Sequence, residues 1–499
     1  MSRYGRFAAA GAIAYFVAAG LSVIPYPGIA QDEALFAAGL YDPRHVADTF
    51  QFHGPTPAML MSYVGALKSW LYAVVFRVWA PGVWSVRVPM LAAAAAALWL
   101  LWLAVRRTCG DFAAAAAVAL AATDAVFLLT AVFDWGPVAL QHLLAMGAAA
   151  GAVHYVQTSR TRWLGAAGFL AGLGLWDKAI FAWLLGGSAL ALALTYGARL
   201  RKLLPLRAAV LALIMLAIGA SPLIRYNVRD PWGTFRGNVS AEPNDIPGRA
   251  NLLRWTLDGR ALQGWMAEQS GPLPQGALVW LSVVSAAALP WMGAWRRPAL
   301  LFLLGFVFSW LPMLFTARTG GGAHHTILLW PLAACFVSMA AAWLESRQWR
   351  GVAIGLVMVC CASNIRVLLA YRSDLRANGP APAWTDAVFP LAAKVDRERP
   401  AVVFANDWGF GEPLRLLTAG RIPIVTGYDF VFGPGDSIAA RVAEPNALHI
   451  GFVPGRRAFP EADARIQAEA ERAGFRRELV SVIPDRRGHA VYEIYRFEK

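Results

Sequence analysis

Cysteine and acidic charge are scarce in this sequence. Four cysteines occur in 499 residues, and all of them lie in or beside apolar segments: Cys109, Cys335, Cys360 and Cys361. Their spacing excludes a disulfide framework and a zinc module. Asp and Glu number 31 against 45 Lys and Arg, so the formal net charge is +14.

The excess of positive charge lies in one part of the chain. Residues 372–499 contain 18 Lys or Arg and 17 Asp or Glu, whereas residues 1–371 contain 27 and 14. Basic clusters such as Arg106-Arg107 and Arg296-Arg297 fall at alternate ends of successive apolar segments. This is the positive-inside pattern of membrane proteins, and it does not indicate nucleic-acid binding.

Apolar residues are abundant: they make up 58% of the chain, and the mean hydropathy is +0.47. One soluble core could not bury so much apolar surface. Runs of roughly 18 or more apolar residues predict about eleven transmembrane helices. They lie near residues 7–25, 84–105, 112–131, 135–157, 163–181, 182–198, 204–224, 274–295, 299–316, 326–344 and 351–371.

The basic clusters also predict an orientation in the membrane. They place the N-terminus in the cytoplasm and, with an odd number of spans, residues 372–499 outside. The first segment resembles a signal peptide, but no small-x-small cleavage site follows it, so we expect a retained anchor. A composition rich in Ala, Arg and Trp is typical of a GC-rich bacterium, which indicates the inner membrane with a periplasmic C-terminal domain.

The predicted fold is a polytopic α-helical membrane domain, residues 1–371, followed by a small soluble α/β domain, residues 372–499. The membrane domain contains two long outer loops, at 26–83 and 225–272. In the first loop, apolar residues at helical spacing from Pro57 to Trp79 predict an amphipathic helix on the membrane surface. The C-terminal domain is predicted from alternating apolar strands and helical segments after residue 400.

Carboxylates collect on the predicted outer face of the membrane domain. Asp32 and Glu33 follow the first span, Asp134 opens the fourth, and Asp177-Lys178 lies where the fifth and sixth spans meet. A carboxylate at a membrane boundary is costly unless it is hydrated or partnered, and group transfer to a hydroxyl needs a base. These residues are therefore candidates for catalysis, with solvated loop acids and a solvated interspan turn as the alternative interpretations.

Basic side chains on the same face could bind a phosphate. Lys178 offers a compact ammonium ion, and Arg225 ends the seventh span, where it could equally be an interfacial anchor. His324-His325 follows three glycines at the start of the tenth span, so backbone N–H groups and one histidine could face a phosphate. Adjacent histidines on a helix point about 100° apart, which disfavours a shared metal ion. His53 could present substrate from the first loop.

This order of motifs resembles the GT-C membrane glycosyltransferases, and most of all family 39, which includes protein O-mannosyltransferases and lipid A aminoarabinose transferases. The resemblance covers residues 7–371. It rests on the Asp32-Glu33 pair, on the acid at Asp134, on a Lys after a Gly-Leu-rich segment at Lys178, and on His53-Gly54-Pro55, where relatives have His- or Lys-Pro-Pro.

The resemblance implies an inverting transfer of sugar from a polyprenyl-phosphate donor to an acceptor hydroxyl at the outer face. Asp32 would take the acceptor proton, and Glu33 and Asp134 would position the acceptor or the base. The departing lipid phosphate would be stabilised by a separate, basic group of residues: Lys178 beside Asp177, Arg225, and His324 or His325. Because a lipid phosphate is a good leaving group, a divalent cation would help but is not required. The acceptor could be a lipid, a protein or an envelope glycan.

Two other classes of function stay open at this stage. A secondary transporter or flippase could use Asp124, inside the third span, and the Asp177-Lys178 pair along a translocation path. Against this, the chain shows no inverted repeat, and its acids collect at one face. A non-catalytic envelope-assembly subunit would act mainly through residues 372–499. The sequence does not identify the sugar, the acceptor or the oligomeric state.

Overall fold

The membrane part of the chain is built from helices around one large apolar cluster, with two smaller clusters besides it. The computed structural model describes residues 3–43, 46–52, 54–240, 242–243, 245–268, 271–317, 321–428 and 438–499. The helices of this part are α1 Arg3–Val23, α2 Gln31–Ala38, α3 Leu67–Val75, α4 Val83–Thr123, α5 Ala125–Val132, α6 Val138–Thr158, α7 Thr161–Asp177, α8 Phe181–Leu203, α9 Leu206–Gly219, α10 Ser221–Arg229, α11 Ile246–Leu257, α12 Leu278–Ala288, α13 Arg296–Trp310, α14 Ala323–Thr326, α15 Trp330–Ser346 and α16 Arg350–Ala377.

Several of these helices are suited to crossing a membrane, so the chain is a multi-pass membrane protein. In the described ranges, six helices are long and apolar enough to span, and α9 with α10 forms a seventh candidate that is bent by 67°. The predicted total of about eleven spans stays a prediction, because α6, α7 and α12 do not meet the same criteria of length and hydropathy.

The long helix α4 is interrupted at Gly110, where φ is 89° and the backbone leaves the helical region. The start of α1 lies against Asp111, whereas its end lies against both Leu91 and Val132. The chain therefore passes α1 twice in opposite directions and reverses at Gly110, a conformation that glycine adopts without steric cost. The two arms coincide with the predicted spans 84–105 and 112–131.

The first loop corrects one prediction. Pro57–Trp79 is not a single surface helix: it contains part of β2 Pro55–Met61, then β3 Val64–Gly65 and α3, and β1 Asp48–Gln51 completes a three-stranded antiparallel sheet. The reason is tertiary. Two indole N–H groups bind backbone carbonyls of β2, Trp70 on Pro57 and Trp176 on Ala58, both at 2.8 Å. In a helix, the same carbonyls would accept hydrogen bonds from N–H groups of that helix, so these side-chain contacts favour the strand.

Residues 378–499 form a five-stranded mixed sheet with helices. The sheet order is β5-β4-β6-β8-β7, in which the first three strands are parallel and the last two antiparallel. The elements are α17 Val388–Glu398, β4 Val402–Ala405, α18 Gly411–Leu417, β5 Ile424–Thr426, a short helix Ile438–Val442, β6 Ala447–Phe452, a helix Pro460–Arg472, β7 Arg476–Pro484 and β8 Ala490–Glu498. The last membrane helix, α16, continues six residues past the predicted boundary at 371.

This sheet domain packs directly on the loop and helix that carry the acidic pair. The backbone N–H of Gly28 donates to the Trp384 carbonyl at 2.7 Å, and the N–H of Glu412 donates to the Gln31 side chain at 3.1 Å. A Cβ at Gly28 would lie 2.0 Å from the Thr385 carbonyl oxygen, so no larger residue fits there. The position of α2 is therefore set from both sides, by the membrane helices and by the C-terminal domain.

Candidate active site

The two acids of the Asp32-Glu33 pair have different surroundings. Glu33 is buried and accepts two hydrogen bonds from the Arg87 guanidinium, at 2.7 and 2.8 Å. Arg87, also buried, donates three more hydrogen bonds to carbonyl oxygens of the segment before α2, those of Ile24, Pro27 and Gly28. A bidentate pair of this kind fixes geometry. Glu33 therefore ties α2 to Arg87 through both of its carboxylate oxygens.

Asp32 sits one residue earlier, in the first turn of α2, and is only partly buried. Burial raises the pKa of its carboxyl group above the ordinary value, and the nearby Lys178 ammonium partly opposes that rise. Its side chain makes no hydrogen bond or ion pair with the described part of the chain. Asp32 is thus a carboxylate of raised basicity that a substrate can reach.

A second buried pair lies beside this helix. The ammonium group of Lys68 is 3.2 Å from an Asp134 carboxylate oxygen and also donates to the Asp134 backbone carbonyl. It lies 4.3 Å from the centre of the Phe36 ring of α2. The other Asp134 oxygen accepts from the backbone N–H of Val138 at the start of α6. The sequence patterns did not single out Lys68 as a site residue, although a lysine in the apolar run of α3 was a usable signal.

Asp177 and Lys178 lie at the end of α7 and are both buried, which contradicts the interpretation as a solvated turn. Neither Asp177 carboxylate oxygen forms a hydrogen bond within the described residues. Lys178 interacts electrostatically with four charged groups: Asp32, Asp177, Asp134 and Lys68. Its backbone pairs with Val64 in an isolated bridge, so the first-loop sheet holds it against the cluster.

His324 and His325 occupy the four-residue helix α14, next to the same cluster. The ring centres of the two histidines are 3.9 Å apart, and Lys178 interacts electrostatically with both. His324 accepts a hydrogen bond at its Nδ1 from the indole of Trp135, at 3.0 Å. Trp135 in turn packs on Trp384 of the C-terminal domain with ring centres 5.4 Å apart. The glycine loop before α14 is described only in part, so its predicted phosphate cradle stays a prediction.

Two further sequence candidates, Arg225 and Asp124, do not join the cluster. Arg225 pairs with Asp48 at 2.7 Å, donates to the Thr49 carbonyl and lies over the Phe50 ring, so it anchors the first-loop sheet to α10. His53 lies outside the described residues. Asp124, left unexplained by the sequence, caps α5 by accepting the Phe127 N–H at 2.7 Å. Its role is therefore local and structural.

The structure brings together a group of residues that we call the charge cluster: Asp32, Lys68, Asp134, Asp177, Lys178, His324 and His325. It contains an accessible carboxylate beside a buried ammonium group, and such a pair can accept a proton and stabilise a developing phosphate charge. No group of three or more His, Cys, Asp or Glu side chains with metal-binding geometry occurs in the described ranges.

Comparisons with known proteins concern both sequence and fold. The sequence model of the family described as dolichyl-phosphate-mannose-protein mannosyltransferase matches residues 65–221. No curated protein sequence matches the chain.

Solved structures match over most of the chain. ArnT from Cupriavidus metallidurans in the apo state is 12% identical, with a TM-score of 0.62 over 98% of this chain and 97% of that one. The same protein bound to undecaprenyl phosphate is 13% identical, with a TM-score of 0.58 over 98% of this chain and 98% of that one. The apo oligosaccharyltransferase of Archaeoglobus fulgidus is 10% identical, with a TM-score of 0.53 over 91% of this chain and 70% of that one. The predicted GT-C fold is thereby confirmed.

Proposed function

We propose that this GT-C fold membrane protein is a glycosyltransferase that moves a sugar from a polyprenyl-phosphate-linked donor to an acceptor hydroxyl. The observation that carries the proposal is the division of work within the Asp32-Glu33 pair. Both Glu33 oxygens accept hydrogen bonds from Arg87, whereas Asp32 is partly exposed and interacts electrostatically with the buried Lys178. This is the arrangement that a general base next to an anionic leaving group requires.

In the proposed step, an Asp32 carboxylate oxygen accepts the proton of the acceptor hydroxyl. The acceptor oxygen forms a bond to the anomeric carbon as the bond from that carbon to the phosphate oxygen breaks, and the electron pair leaves with the lipid phosphate. Attack opposite to the leaving group inverts the anomeric centre. Holding base, acceptor and donor in line supplies a large part of the rate enhancement.

Lys178 stabilises the departing phosphate in this proposal, and His324 or His325 adds a hydrogen bond. The support is electrostatic: the charge of the Lys178 ammonium acts on Asp32 and on both histidines. Asp134 holds Lys68 in place, and Glu33 holds α2 through Arg87. Both acids therefore act on the position of the base rather than on the acceptor. Arg225 is assigned to the first-loop anchor.

Two further observations favour a lipid-linked donor. A matched fold, that of ArnT from Cupriavidus metallidurans, has been solved with undecaprenyl phosphate bound. The family model that matches residues 65–221 is named for a dolichyl-phosphate-mannose donor. We propose that the reaction takes place at the periplasmic face of the inner membrane, with the N-terminus in the cytoplasm. The acceptor hydroxyl belongs to a lipid, a protein or an envelope glycan.

The test is transfer of radiolabelled sugar from synthetic polyprenyl-phosphate sugars to a membrane extract by the purified protein. Asp32→Asn should lower the rate by about 10²- to 10⁴-fold, the usual contribution of a general base. The matched control is Asp111→Asn, because Asp111 pairs with Arg106 beside the Gly110 reversal of α4 and is not a member of the charge cluster. Full activity in Asp32→Asn, or no transfer with any donor from folded wild-type protein, would refute the proposal.

No metal is required in this proposal, because a lipid phosphate already leaves readily and Lys178 supplies positive charge. Transfer should therefore continue after treatment with EDTA. Loss of activity that Mg²⁺ or Mn²⁺ restores would assign the charge stabilisation to a cation instead.

A further inference from the structure

The outer surface of α16 carries a basic groove that the proposed transfer reaction does not use. The groove has a volume of about 350 Å³ and is lined by Leu369, Arg372, Ser373, Arg376 and Ala377. The two arginines are four residues apart, so they project from the same face of the helix in its last turns. A pair of guanidinium groups at this spacing can bind one phosphate from two sides.

The same face of α16 is apolar below the arginines. Met358 is 61% exposed and Leu369 is 55% exposed, although both lie on a helix suited to spanning a membrane. At about 100° per residue, positions 358, 369, 372 and 376 fall within one narrow sector of the helix. An apolar strip thus leads along the membrane and ends at a basic pair.

The charges of this groove are not balanced by acids on the same face. The Nε of Arg372 is buried and has no hydrogen-bond partner in the described part of the chain. Arg376 donates to the Tyr26 hydroxyl and lies over that ring, with 5.2 Å to its centre. Asp374 is the only acid in α16, and its position is about 160° around the helix from both arginines. A buried donor without a partner favours an anionic ligand.

We propose that this groove binds the phosphate of an anionic phospholipid of the surrounding bilayer, with an acyl chain lying along the apolar strip. The combination of two guanidinium groups and a membrane-facing apolar strip matches a lipid rather than a free anion, because a free anion would gain nothing from Met358 and Leu369. Arginines that only reach for bulk water would attract anionic lipid equally at either end of α16. The site does not depend on the transferase activity.

The experiment measures lipid binding by native mass spectrometry of the full chain in detergent, with phosphatidylglycerol and phosphatidylcholine titrated separately. Wild-type protein should retain phosphatidylglycerol at least fivefold more tightly than phosphatidylcholine. Arg372→Gln with Arg376→Gln should abolish that preference. The matched control is Arg347→Gln with Arg350→Gln, which removes the same charge from exposed positions at the other end of α16 and should preserve it.

Two additional arms make the result decisive. Arg372→Lys with Arg376→Lys keeps the charge and should retain part of the preference, which separates loss of binding from loss of folding. Inorganic phosphate at millimolar concentration should not displace the lipid. The proposal is overturned if the preference for phosphatidylglycerol over phosphatidylcholine is the same in wild type and in the glutamine variant. It is also overturned if the Arg347/Arg350 control variant loses that preference to the same extent, or if inorganic phosphate displaces the lipid completely.

Discussion

The Arg87–Glu33 pair and the charge cluster lie beside each other, yet they differ in how completely their polar atoms are satisfied. Arg87 makes five hydrogen bonds, two of them to Glu33. In the charge cluster, by contrast, both oxygens of Asp177 have no hydrogen-bond partner among the described residues, and Asp32 is partly exposed. A buried ion pair is stable when its geometry is complete, and an incomplete one is costly. The difference separates a complete structural ion pair from the charge cluster, for which we propose a ligand-binding role.

The largest effect should follow from breaking the complete pair. Arg87→Met leaves a buried Glu33 carboxylate and three carbonyl oxygens without donors, so we expect a loss of about 3–5 kcal/mol in stability. Thermal unfolding of the detergent-solubilised protein measures it. Adding Glu33→Met should recover part of the loss, because the unpaired charge disappears. If Arg87→Met alone is as stable as wild type, the Arg87–Glu33 pair does not stabilise the fold.

The second prediction concerns Lys178 in the incomplete cluster. Lys178→Met should lower the transfer rate by about 10²- to 10³-fold, as removal of one charge-stabilising donor does. It should also raise the pKa of Asp32 further, because the ammonium ion that opposes the effect of burial is gone. A base works only when deprotonated, so the acid limb of the kcat/KM profile should move to higher pH.

Lys178→Arg, which keeps the positive charge, is the control for that shift. An acid limb at the same pH in wild type and Lys178→Met would separate Lys178 from Asp32 and contradict the assignment of the base.

A third polar group, His449 of the C-terminal domain, extends the comparison to a buried residue outside the membrane helices. His449 lies between the rings of Phe404 and Tyr495, and its Nδ1 is 3.2 Å from the Asn406 amide. Burial lowers the pKa of His449 to about 3, and the positive charge of Arg477 acts in the same direction. The folded protein therefore keeps this imidazole neutral, whereas the unfolded chain protonates it near pH 6.5.

The sign of the resulting pH dependence follows directly. The stability contribution is complete above about pH 6.5 and is lost as the pH falls towards 3, with a slope of at most about 1.4 kcal/mol per pH unit. The unfolding temperature should decrease between pH 7 and pH 4, and the decrease should be smaller in His449→Gln. Equal slopes in the two proteins would contradict the assignment.

Sequence patterns located the members of the charge cluster better than the contacts among them. Asp32, Asp134, Lys178 and His324 were found because each lies at the end of an apolar segment, and hydropathy marks those ends well. Arg87 lies within a predicted span and drew no attention, because its partner Glu33 is 54 residues away. Long-range pairing of this kind leaves no local pattern.

The fold shows the same limit. The apolar runs predicted helices in the membrane part, and the alternation after residue 400 predicted strands in the region that contains β4, β5 and β6. The strand β2 was taken for a helix because the indoles that hold its backbone come from α3 and α7. The strand β7 begins Arg476-Arg477-Glu478 and lies at the edge of its sheet, and the apolar residues that follow, from Leu479 to Ile483, were not singled out as a strand.

The smallest effect should come from Asp177→Asn, and its contrast with Glu33→Gln tests the comparison most sharply. Both substitutions replace a buried carboxylate by an amide of the same shape. Glu33→Gln turns one acceptor towards the Arg87 guanidinium into a donor, so stability should fall by roughly 1–3 kcal/mol. Asp177→Asn removes no hydrogen bond that the described residues make, and the unfolding temperature should not fall. Thermal unfolding of the two variants side by side decides the matter: if Asp177→Asn is as damaging as Glu33→Gln, the unsatisfied carboxylate has a structural partner and the charge cluster is not an open site.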